Sequence, residues 1–167
     1  FLLMALPSVL FILLVNLYPL IYAASQSVHD GDLIAQGPFV GLDNYVAVLT
    51  SPQFANSARF TLLFTVVGVF GSWVVGLALA LLLRTRIPAG GTFKVLLLLP
   101  WVIPIVASAT AWNWLIATPS SPVPMLFDAI GLDKPLFLAD PTLAIITVCA
   151  FKVWVSFPFM MLMMGSA

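Results

Sequence analysis

The chain has 167 residues, 62% of them apolar and 7% charged, with six bases against six acids and a mean hydropathy of +1.16. A soluble domain is about a quarter charged, so a water-facing surface of ordinary polarity is excluded and the composition is that of a membrane protein. Zero net charge argues against a nucleic-acid partner, which would need a basic face, and the single cysteine, Cys149, excludes an internal disulfide or a cysteine metal cluster.

A helix crossing the roughly 30 Å hydrocarbon layer needs about 20 mostly apolar residues. Four stretches qualify, approximately 2–24, 60–83, 95–117 and 142–164. Backbone groups in lipid must be satisfied within the segment, so all four are predicted as helices, and the alternation of barrel strands is absent. The predicted fold class is all-α, a polytopic transmembrane helical bundle in one domain over residues 1–167. A start at Phe1 without methionine and a stop at Ala167 after an apolar run read as a segment of a longer polypeptide. The first stretch outlasts a secretory h-region of roughly 7–15 residues, which disfavours a signal peptide.

Pro19 interrupts the first span. Within the outer loop of about 25–59, the first link, from Ser25 to Ser51, holds Gly31, Gly37, Pro38 and Gly41 and is predicted as mainly loop with a short turn of helix at 44–49. His29 stands there with no second histidine or cysteine near it, which argues against a metal role. Ser51 is placed to cap the second helix and Pro52 to open it, outside the membrane. Along the second span Gly68, Ser72, Gly76 and Ala80 recur every fourth residue, a stripe of small side chains that lets another helix approach closely.

The second link, about 84–94, carries Arg84, Arg86 and Lys94. In the third span Pro100 and Pro104 remove two amide donors one turn apart, kinking or loosening the helix. They, with Pro158 in the fourth span, read either as tolerated kinks or as breaks that line a cavity or flex between two states. Asn113, between Trp112 and Trp114, reads more plainly as part of an interfacial aromatic belt than as an amide and flat rings offered to a sugar-like solute. The third link, about 118–141, ends on Asp140 and Pro141, a second cap and opener. Lys152 is the one charge well inside a span, about ten residues from each end, where a lysine costs roughly 2.5–3.5 kcal/mol and should face a watery cavity, the bundle interior or a partner. Phe151, Trp154, Phe157 and Phe159 surround it in sequence and suit either a packed helix or a site that stacks on a ring-shaped ligand. The plainer alternative is a lysine that snorkels or pairs structurally.

Bases crowd the second link, whereas Asp30, Asp32 and Asp43 lie in the first and Asp128, Asp133 and Asp140 in the third. The positive-inside rule then predicts a cytoplasmic second link and cytoplasmic ends, with Arg59 and Lys134 as the outer exceptions. The segment contains no glutamate and no aspartate within a span, which speaks against a proton-coupled carrier or an intramembrane aspartyl protease. It has no phosphate-binding G-x-x-x-x-G-K-[ST] loop, so any nucleotide hydrolysis would belong to a partner.

Three runs, Phe39-Val40-Gly41-Leu42-Asp43-Asn44-Tyr45, Leu99-Pro100-Trp101-Val102-Ile103-Pro104, and Leu138-Ala139-Asp140-Pro141 leading to Trp154 and Pro158-Phe159, resemble in order and spacing the membrane subunits of binding-protein-dependent ABC sugar importers. The closer resemblance is to a maltose-permease-like first subunit of a heterodimeric pair. It implies a six-span permease, of which this segment holds four, in a bacterial or archaeal cytoplasmic membrane. It also implies a second permease, two cytoplasmic ATPase subunits carrying ATP and Mg, and an external binding protein that delivers a sugar or polyol phosphate. An ATPase-docking loop with a glutamate-alanine-alanine signature would begin near Gly165-Ser166-Ala167. On this reading the chain itself binds no cofactor or metal and is not an enzyme. Asn113, Lys152 and Trp154 are the candidate pathway residues, and a non-transporting membrane scaffold or assembly subunit is the alternative.

Overall fold

The structure is a computed structural model that describes residues 2–32, 35–85, 88 and 90–166; Phe1, Arg86 and Ala167 lie outside the described residues. The chain forms two compact units, Phe1–Phe60 and Thr61–Ala167.

In the first unit α1 (Leu2–Ser27) runs 26 residues, about 39 Å at 1.5 Å per residue, with Pro7 and Pro19 inside it. Asn16, a polar residue within this span, donates its side-chain amide to the carbonyl of Ile12 at 2.8 Å, so the helix satisfies its own polar group. The following link is more ordered than the loop its glycines suggest. Strands β1 (His29–Gly31) and β2 (Gln36–Phe39) form an antiparallel hairpin, followed by α2 (Asp43–Leu49). The turn closes through Ala35 N–H on Asp32 Oδ1 at 2.8 Å. Gly31 adopts φ 122°, and a β-carbon there would stand 2.3 Å from the Ala35 carbonyl oxygen, so only glycine fits. Asn44 then ties the unit together: its amide donates to the carbonyls of Ser27 at 3.1 Å and His29 at 2.9 Å, and Tyr45 donates to Ser27 Oγ at 2.7 Å. The C-terminal carbonyls of a helix need such partners, and α2 supplies one for α1.

The long α3 (Pro52–Arg84) starts at Ser51, whose Oγ accepts from Phe54 N–H at 3.1 Å. Its buried residues are Gly68, Ser72, Gly76 and Ala80. They face α7 (Pro141–Ser166), whose own first turn is capped by Asp140 Oδ1, 2.8 Å from Leu143 N. A β-carbon on Gly68 would meet Lys152 Cγ at 2.9 Å, one on Gly71 would meet Val153 Cγ2 at 2.6 Å, and one on Gly76 would meet Met160 Cβ at 2.7 Å. Contacts that advance together along both helices mean that α3 and α7 run parallel.

Between them lie α4 (Gly90–Val102), α5 (Ile105–Ile116) and the short α6 (Pro122–Ala129). The third predicted span is therefore not one continuous helix: α4 and α5 meet at a 94° bend. Pro104, which has no amide hydrogen, stands at the break with extended backbone (φ −52°, ψ 131°). Among the described residues three helices are long and apolar enough to cross a membrane, or four with the bent pair as one span. The parallel course of α3 and α7 accords with counting the bent pair as one span, since α6, eight residues long, is too short to be one. Consistent with this, Arg84 at the end of α3, Lys94 in α4 and Gly165 at the end of α7 line one shared cleft of about 350 Å³.

The third link folds over itself rather than trailing. Pro122 opens α6, Gly131 turns the chain at φ 79°, Phe127 and Phe137 meet edge to face at 6.1 Å, and Lys134 pairs with Asp128 at 3.1 Å.

Candidate functional site

Lys152 lies near the middle of α7, about 16 Å along the helix from Pro141 and about 21 Å from Ser166. Its stem rests on the bare backbone of Gly68. The side chain is exposed, and no acid lies within ion-pair distance of it among the described residues. It opens onto a groove of about 370 Å³ between α3, α4 and α7, whose other walls include Ser72, Trp101, Ser156 and Phe159. The Trp101 and Phe159 rings stand 6.0 Å apart, tilted at 38°. Ser156 is one turn beyond Lys152 and so shares its face. Ser72 donates its hydroxyl to the Gly68 carbonyl, a bond that keeps a buried polar group satisfied within α3. The groove thus combines a cation, a hydroxyl and aromatic rings on one surface.

Trp154 and Asn113 are not in this groove. Two residues along a helix turn the side chain by about 200°, which places Trp154 on the opposite flank of α7 in an apolar groove of about 590 Å³ with Leu63, Val67, Cys149 and Phe157. Asn113 lines a third hollow of about 200 Å³ with Trp112, Leu138, Thr147 and Phe151. Trp112 packs inward against Phe151 at 5.3 Å and Trp154 at 5.5 Å, whereas Trp114 is 70% exposed. The two tryptophans that flank Asn113 therefore have different environments. Of the prolines, Pro100 and Pro158 are buried in α4 and α7, and Pro104 marks the bend. No group of three metal-ligating side chains occurs among the described residues.

Trp101, Ser156 and Ser108 were not singled out from sequence as site residues. Ser156 was accessible to helical arithmetic, since it follows Lys152 by four positions, whereas Trp101 lies on α4 and reaches the groove only through the fold. Ser108, 3% exposed in the first turn of α5, has a hydroxyl oxygen without a hydrogen-bond partner among the described residues, and no sequence signal marks it.

No family model matches the chain. Among curated proteins it is 30% identical to the trehalose/maltose transport system permease protein MalF of Thermococcus litoralis over 97% of this chain and 55% of that protein. It is 29% identical to the trehalose transport system permease protein SugA of Mycobacterium tuberculosis, over 95% of this chain and 51% of that protein. Among solved structures it is similar to a chain of a bacterial ABC transporter involved in the import of the acidic polysaccharide alginate. That match has a TM-score of 0.79 and 22% identity and covers 98% of this chain and 55% of that one, a likeness of fold. The chain spans about half the length of the curated relatives it matches. Over nearly its whole length this membrane chain is therefore similar in sequence to sugar ABC transporter permeases, and in fold to a chain of an ABC transporter.

Proposed function

We propose that the chain is the part of a permease subunit that, with a second permease, forms the membrane path of an ATP-driven importer for a sugar or related solute. A binding protein on the outer side delivers the solute, and two cytoplasmic ATPase subunits, with ATP and Mg, switch the path between outward and inward access. The chain itself carries out no chemistry. The cleft of Arg84 and Lys94 faces the cytoplasm by the positive-inside rule, and Arg86, the third base of that link, lies outside the described residues. The membrane is then the cytoplasmic membrane of a bacterium or archaeon, with both ends of this segment inside and the hairpin and α6 outside.

The observation that carries this reading is the Lys152 groove. A lysine near the middle of a membrane helix, with no acid in ion-pair reach among the described residues and open to a hollow walled by rings and hydroxyls, suits a solvated passage better than a packed anchor. The broken α4–α5 pair fits the same picture, because interrupted helices at membrane depth are tolerated where they line cavities or are buried in protein. Mild isolation of the full-length protein from its native membrane, followed by mass spectrometry, tests the proposal. Recovery of an ATPase, a second permease and a solute-binding protein is the expected result. Recovery without any ATPase, despite crosslinking, would overturn it and favour a scaffold.

A further inference from the structure

We propose that the groove between α3, α4 and α7 favours solutes carrying a negative charge, such as sugars bearing a carboxylate, sulfonate or phosphate, and that Lys152 is the residue that sets this preference. The inference rests on the reading that this groove lines the solute path.

Three observations carry it. First, the charge has no counter-charge at its depth. The sequence contains no glutamate, and its aspartates, at 30, 32, 43, 128, 133 and 140, all lie outside the four apolar stretches. Second, the lysine is held where it is. Its stem lies on Gly68, and the four methylenes cannot bridge the roughly 16 or 21 Å of helix that separates it from either end of α7. Its ammonium therefore stays at the groove. Third, the groove's remaining walls are matched to a sugar: the Trp101 and Phe159 rings offer apolar faces and Ser156 a hydroxyl. A fixed cation in a low-dielectric passage without acids attracts anions and repels cations. Neutral sugars gain a hydrogen bond from the same ammonium, but charged ones gain the field as well.

The test reads the field directly and needs no knowledge of the natural solute. In the assembled importer, Cys149 is replaced by alanine and Ser156 by cysteine. The new thiol is then reacted separately with 2-sulfonatoethyl methanethiosulfonate, an anion, and 2-(trimethylammonium)ethyl methanethiosulfonate, a cation. The anionic reagent is expected to react faster relative to its rate with a free thiol. Lys152→Gln should lower the anion-to-cation rate ratio by about fivefold or more, and Lys152→Arg should preserve it. A wet groove whose ratio is unchanged by Lys152→Gln would overturn the inference while leaving the path reading intact. A ratio near one that swings toward the cation in Lys152→Gln would show that an acid from the second permease neutralises the lysine, and would also overturn it. Protection from both reagents in every nucleotide state would instead remove the path reading on which the inference stands.

Discussion

Gly68 and Lys152 occupy one another's space. A β-carbon on residue 68 would stand 2.9 Å from Lys152 Cγ, closer than side-chain carbons come, so the lysine lies where it does because position 68 has no side chain. Replacing Gly68 with alanine adds up to about 1 kcal/mol of helix propensity and pushes the lysine stem off α3. The expected outcome is a thermal stability within about 1 kcal/mol of the parent together with a changed reaction rate at a cysteine placed at 156. Identical rates in the two proteins would show that the stem does not rest on residue 68.

Gly76 meets backbone as well as side chain, with Met161 N 2.8 Å and Met160 C 3.0 Å from its would-be β-carbon, so nothing flexible can move aside. Gly76→Ala must part α3 from α7 and should destabilise by about 1–3 kcal/mol. Gly91, also helical, has nothing within 4 Å of the corresponding point. Gly91→Ala should be neutral or stabilising by up to about 1 kcal/mol. Melting both variants in detergent compares the same chemical change in two environments, and equal shifts would refute the close contact.

At the α4–α5 break, Pro104→Ala restores an amide donor and removes the ring that prevents a continuous helix. Spin labels at Val95 and Trp114, both exposed, sit on backbone points about 19 Å apart across a right-angle bend but about 28 Å apart along a straight helix. A shift of the label distance toward the longer value is expected in Pro104→Ala, with loss of uptake. An unshifted distance would mean that packing of α4 and α5 holds the bend without the proline.

Asn44 bonds two carbonyls at the start of the first link, those of Ser27 and His29. Asn44→Ala should cost about 1–2 kcal/mol locally and raise amide hydrogen exchange at the end of α1 and in the hairpin, leaving α7 unaffected. Unchanged exchange at residues 28–40 would assign the hairpin's order to other contacts.

Helix positions were legible because they depend on local chemistry. Lipid-length apolar runs, Ser51 and Asp140 as caps and the period-four stripe on α3 each express a one-dimensional rule. The hairpin was not, since His29 and Phe39 pair across a turn whose flanking residues lack a strong strand pattern. The two prolines of the third span announced a disturbance. That one would lie buried within a helix and the other at a 94° turn depended on what surrounded them.

The sequence by itself determined that this chain lives in a membrane, where its long apolar stretches lie, and that a lone cation sits deep in one of them, because burial of apolar length and of charge is governed by composition along the chain. Only the tertiary structure decided that α3 and α7 run parallel and that the third apolar stretch breaks into two helices at a 94° bend. It also decided that Asn113, Lys152 and Trp154 line three different hollows. Which helix meets the small-residue stripe, and in what register, follows from the fit of backbone against side chain across more than eighty residues of intervening sequence, and no local pattern encodes that fit.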